Sequence, residues 1–214
     1  MLSHTNNTPV FLINTQSVMN TVKFQTVKNF IVRQADKEAF SGDTARKLVS
    51  GQLILRDNTD YIRKEVAASP SGTVKLIDAN TNITPGVSTF VGNKKDKSVN
   101  QVITHMRLAY GTDEYSGQEA SVDFSNTQSD VPAALRSATV IISQDGKPVI
   151  KLPAMDFITP GNDGKSAYAE LSAFAMIKEE QTFGVELEFA DGVSLGAGKH
   201  YIELALKGMS TFEK

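Results

Sequence analysis

The sequence predicts a mainly β protein, an antiparallel β-sandwich wired as a single jelly roll with inserted loops and an N-terminal arm. Three observations carry this reading. From Gly72 onward, strand-sized alternating segments are separated by turn-forming residues at short intervals. An Asp145-Gly146 pair sits between two β-branched runs and marks a tight hairpin. A glycine-rich stretch at 190–199 is long enough to pass from one sheet to another before the last strand. With 214 residues, the chain is long enough to bury a sizeable core.

The reading divides the chain into an arm, residues 1–40, and a sandwich domain, residues 41–214. Within the arm, Val18, Val22, Phe24, Val27, Phe30, Ile31 and Val32 fit neither the helical period nor the strand period cleanly. The expectation is a strand over 21–32. Residues 43–51 form a short helix, opened by Asp43 and ended by Gly51. The stretch 59–68 is compatible with a helix or an edge strand. Residues 73–77 form a strand, followed by a loop of turn formers from Asp78 to Asn82.

Further along, 100–110 alternates with Val102, Thr104, Met106, Leu108 and Tyr110 on one face, and Ile103, His105, Arg107 and Ala109 on the other. Residues 121–125 place Val122 and Phe124 on one side of a short strand. The hairpin spans 137–152. Residues 167–177 read as a strand buried on both sides, with a helix as the competing reading. Segments 183–189 and 200–207 alternate apolar residues with Glu186 and Glu188, and with Glu203 and Lys207. Both read as strands with one wet face. The total is eight or nine strands.

Composition excludes several chemistries. There is no Cys, hence no disulfide framework, thiolate metal site or cysteine nucleophile. Lys and Arg number 22 against 24 Asp and Glu, so no basic surplus recommends nucleic acid as a partner. The only basic cluster is Lys94, Lys95 and Lys97, interrupted by Asp96. The amino end lacks the Lys/Arg head and long apolar run of a secretory signal, and its only continuous apolar run is 10–13. No stretch approaches the roughly 20 apolar residues of a membrane-spanning helix.

Motifs with chemical meaning fall short one by one. Residues 159–166 end in Gly164-Lys165-Ser166, but Thr159 stands where a phosphate-binding loop needs its first glycine. Residues 192–199 have Val193 at that position, with His200 following Gly198-Lys199. Asp78, Asn80 and Asn82 begin a calcium-loop spacing, but Ile83 replaces the required glycine and Thr89 the closing glutamate. His4, His105 and His200 are far apart, and only His200 has a carboxylate, Glu203, at a ligand spacing. The acids Asp113, Glu114, Glu119 and Asp123, and Glu179, Glu180, Glu186 and Glu188, fall in predicted loops and wet faces and read as solvated surface. The expectation is therefore no enzyme, with no catalytic, cofactor-binding or metal-binding residue assigned.

Three segments carry a resemblance: 53–66 (LILRDNTDYIRKEV), 86–90 (GVSTF) and 100–111 (NQVITHMRLAYG). With the closing strands of 183–207, they resemble in texture and order the jelly-roll capsid proteins of small tailless icosahedral bacteriophages. The resemblance implies a self-assembling virion subunit acting as a coat, vertex or minor capsid protein. Its partners would be copies of itself and other capsid proteins, over an internal membrane or other inner layer, with no small-molecule substrate. Its location would be the virion, assembled in a host cytoplasm. The competing function is a β-sandwich module for ligand binding or adhesion, recognising carbohydrate or a receptor through the loops at 78–90 and 191–199.

Overall fold

Four nested antiparallel pairs organise the chain, the outer ones joining early strands to late ones and the innermost a hairpin. A computed structural model describes residues 15–36, 40–113, 119–159 and 168–214. Strand β1 (Leu53–Val66) pairs with β8 (His200–Glu213), and β2 (Gly72–Lys75) with β7 (Phe183–Phe189). Strand β3 (Gln101–Thr112) pairs with β6 (Ala169–Ile177), and β4 (Thr139–Gln144) with β5 (Lys147–Pro153). The pairs close into two four-stranded sheets of order β1-β8-β3-β6 and β2-β7-β4-β5. A long hairpin of nested pairs, rolled into two facing sheets, is a jelly roll.

The inner faces form one core. Met106, Leu108, Ile202, Leu204 and Leu206 from the first sheet meet Val140, Ile142, Phe183, Val185 and Leu187 from the second. The hairpin predicted at 137–152 is present, with Asp145 and Gly146 at φ 48° and 75°. Two successive positive φ values make the primed turn whose twist matches its flanking strands, which is why Asp-Gly occupies it. The glycine-rich connection 190–199 carries the chain from the second sheet to the first. The ambiguous 59–68 stretch belongs to a 14-residue strand that begins at Leu53.

Several expectations are corrected. Residues 21–32 are helical, inside the 22-residue α1 (Thr15–Asp36). Val27 and Ile31, one turn apart, are buried, and Phe30 packs with them, while Val22 and Val32 lie exposed and blur the period. β propensity is overridden by the sheet against which this stripe docks. Helix α2 (Gly42–Val49) is capped by Ser41, whose hydroxyl accepts the Thr44 N–H, with Asp43 in the first turn. Residues 121–125 are not a strand. A 3-10 turn over Glu119–Ser121 leads to a single bridge between Ser125 and Tyr110.

Strand β3 keeps its predicted faces from Met106 onward and reverses them before a bulge between Ile103 and His105. Ile103 enters the main core, and Val102 turns outward to join Val27, Ile31 and Met176. An unpaired residue in a period-two ladder flips every side chain beyond it. Gly208, opposite Ile103, accommodates the distortion, since a Cβ there would lie 1.9 Å from the Val102 carbonyl oxygen.

Candidate functional site

The outer face of the β1-β8-β3-β6 sheet is where the described residues depart most from an ordinary solvated sandwich. Along β8, every residue from His200 to Leu206 is buried. The expectation of a wet face there is overturned because residues 119–125 and the arginines beside Glu203 lie over it, one of two separate coverings on the outer face of this sheet. Helix α1 takes one end. Val27 and Ile31 seat on Val102 and Met176, and Phe30 meets Phe174 edge to face at 5.6 Å. A strap, residues 119–125, takes the other, and Gly111 lets it pass, since a Cβ there would lie 2.4 Å from Val122.

Under the strap, Glu203 sits between two arginines. Arg63 Nε donates to Glu203 Oε2 at 2.8 Å, and Arg107 binds Oε1. Each guanidinium also holds a covering backbone: Arg63 donates to the Gly86 carbonyl at 2.8 Å and Arg107 to that of Phe124 at 3.2 Å. Arg63 further stacks 4.7 Å from the Phe124 ring centroid. A buried carboxylate between two forked donors fixes orientation more than it adds net stability. Beside it, Tyr201 is fully buried; burial and the nearby Glu65, Asp113 and Glu119 push its hydroxyl pKa up.

Between α1 and the β1 side of the sheet runs a groove of about 1250 Å³, floored by Leu55, Thr104, His105 and Met209. Lys23 of α1 pairs with Glu170 of β6 across 3.1 Å. His105 lies beside this pair, and burial followed by Lys23 holds its imidazole below the ordinary value, with Glu170 opposing. Thr104 Oγ1 lies 2.8 Å from His105 Nδ1.

A second buried carboxylate fastens α2. Glu179 Oε1 accepts from the Ser41 N–H at 3.0 Å, and Oε2 from the Thr44 hydroxyl at 2.7 Å and the Ser98 N–H at 2.5 Å. Burial pushes its pKa up, but the hydrogen bonds from Thr44, Ser98 and Ser41 outweigh that, leaving it below the ordinary carboxylate value. Next to it, hydrogen bonds from Lys97 and then Lys47 lower Asp43 to about 2.

The residues weighed in the sequence are scattered by the fold. His200 is buried on β8, with Nδ1 2.6 Å from the Tyr110 hydroxyl and Nε2 3.2 Å from the Gly196 carbonyl, so it pins the glycine-rich connection. Its neighbour Glu203 points to the opposite face. Glu179 is a buried anchor and not solvated surface, whereas Glu188 pairs with Lys151 across 3.1 Å on the exposed side of the second sheet. Asp78 Oδ1 accepts the Asn80 N–H at 2.8 Å, and Asn82 donates to the Asn80 carbonyl at 2.9 Å. Those side chains close their own turn. The basic cluster is split: Lys95 pairs with the buried Asp60 at 2.5 Å and Lys97 with Asp43 at 3.2 Å. His4, Glu114 and the 160–166 part of the phosphate-loop-like segment lie outside the described residues.

Among the described residues, no three His, Asp or Glu side chains are grouped to hold a metal ion, and no helix is long and apolar enough to cross a membrane. What the sequence reasoning missed is the Arg63–Glu203–Arg107 trio. The signal was present as a charged residue in the outward position of an otherwise apolar strand. Its partners are supplied by strands distant in the sequence. Comparison with known proteins returns no matching family model and no matching curated relative.

Proposed function

We propose that this chain is a structural subunit of an icosahedral virion, a coat, vertex or minor capsid protein that assembles with copies of itself. The observation that carries the reading is the jelly-roll wiring, entered through a helix laid across the outside of one sheet. The resemblance of 53–66, 86–90 and 100–111 to coat proteins of small tailless bacteriophages supports it. So does the use of buried charge. Glu203, through its arginines, ties the covering loops and Glu179 ties α2 to the sandwich, giving a rigid tile whose contacts repeat identically in every copy. Repeating contacts are what a closed symmetric assembly requires.

The test is light scattering of the full chain over a wide concentration range, with negative-stain imaging of any heavy fraction. Discrete oligomers, rings or shells are the expected result. A monomer at every concentration would end the capsid reading and favour the ligand-binding module.

A further inference from the structure

We infer that residues 53–59 of β1 form an open strand-addition site, filled by residues 9–14 of a second copy of this chain. The inference rests on the self-assembly reading and names the surface through which copies join.

The direction of the backbone groups is fixed by the other half of the strand. Tyr61 N–H donates to Thr89 Oγ1 at 2.9 Å and Arg63 N–H to the Val87 carbonyl at 2.8 Å, both away from β8. The ladder to β8 runs from Leu53 to Val66 without a bulge, so Leu55, Asp57 and Thr59 point their N–H and C=O groups the same way. Among the described residues nothing accepts from or donates to them, and Asp57 and Thr59 are exposed. This is an unpaired edge seven residues long.

The other edges are blunted in ways that natural sheets use against pairing. Strand β2 has four residues. Strand β5 carries Pro148, Pro153, Lys147 and Lys151. Strand β6 breaks register with β3 between Glu170 and Ala175. The segment 84–89 covers the far half of β1.

Charge selects the occupant. If two β1 edges paired about a two-fold axis, the register that uses the whole open run would centre on Arg56 and set it opposite its own copy. Like charges directly opposed are unfavourable. The first 22 residues of the chain contain no Asp, Glu, Lys or Arg, and their one continuous apolar run, Val10-Phe11-Leu12-Ile13, lies within Pro9–Asn14. Six extended residues span about 20 Å, matching the open length of β1. Main-chain hydrogen bonds supply the affinity in such strand addition, and alternate side chains supply the specificity.

The experiment uses the full chain and two variants, Asp57→Pro and Leu12→Pro. The Asp57 N–H serves no bond to β8, so proline there removes only an outward donor. Leu12→Pro changes no residue of the sandwich and stands in if Asp57→Pro fails to fold. The expected result is that exchange of the Leu55, Asp57 and Thr59 amides slows at least about tenfold as the wild-type chain assembles. Both variants remain small, with those amides exchanging fast and the melting temperature of Leu12→Pro unchanged. Assembly of either folded variant like wild type would overturn the inference while leaving self-assembly intact. Protection independent of concentration would overturn it too, placing the chain's own arm on the edge. If the wild type never assembles, a peptide of residues 8–15 is added to the full chain. Protection of the three amides then upholds the edge site while the capsid reading falls, and no protection overturns both.

Discussion

Strands β7 and β8 follow one another in the chain, sit at inner positions of their respective sheets and show the same alternation of apolar and charged residues. They nevertheless end in different surroundings. On β7, Glu186 and Glu188 face outward, with Glu188 exposed. On β8, Glu203 occupies the equivalent outward position and is only 4% exposed. The second sheet keeps one face in water, while the first is covered by α1 and the 119–125 strap. An outward charge on a strand can thus be a solubilising residue or an anchor, depending on what is folded over it.

Substitutions that treat the two strands alike give the sharpest contrast. Glu203→Gln leaves Arg63 and Arg107 facing each other without their carboxylate under the strap, and should cost about 3–5 kcal/mol. Denaturant unfolding would register it as a large drop in midpoint; a drop no larger than that of Glu188→Gln would break the comparison. For Glu188→Gln, whose ion pair with Lys151 is exposed, the change should stay within about 0.5 kcal/mol.

Between these extremes lie the two helices. Glu179→Gln removes a charged acceptor of three hydrogen bonds and should lower stability by about 2–3 kcal/mol. Because the folded carboxyl titrates below its ordinary value, its contribution is fully present above that ordinary value. It is lost as pH falls through the lower folded value, since the unfolded chain then binds the proton more readily. A stability profile that falls less steeply through this acidic window in Glu179→Gln than in the wild type is the expected signature, the remaining slope coming from Asp43, Asp130 and Glu213, whose carboxyls are also held low. Equal slopes would remove Glu179 from that role. Ile31→Ala, under α1, should cost about 2 kcal/mol, near the lower end for a core truncation because a docked helix can settle into the space. Faster amide exchange confined to α1 would identify the helix as a separately docked unit; uniform acceleration across the sandwich would show that it folds with the core.

Much of the architecture is legible in the sequence. The Asp145-Gly146 hairpin could be read from turn chemistry alone, because few residue pairs tolerate two positive φ values. The alternation of β7 and the crossing at 190–199 were legible for similarly local reasons. The bulge in β3 was not, because one inserted residue leaves no mark in a period-two pattern except a change of phase. Helix α1 was misread because Val22 and Val32, outside its buried stripe, carry the same β-branched signature as Val27 and Ile31 within it. The candidate assembly site was half visible. The uncharged apolar run at 10–13 could be seen in the sequence, but an open edge depends on which neighbours a strand lacks.

Composition and periodicity determined that this chain would form a β-sandwich with no thiol chemistry, because hydrophobic alternation and turn residues act over a few positions. Tertiary structure alone decided which charges were buried, which sheet was covered and which edge was left unpaired. Those outcomes require residues such as Arg63, Arg107 and Glu203, 140 positions apart at their widest, to meet. Only the nested pairing of early strands with late ones brings them within hydrogen-bonding distance.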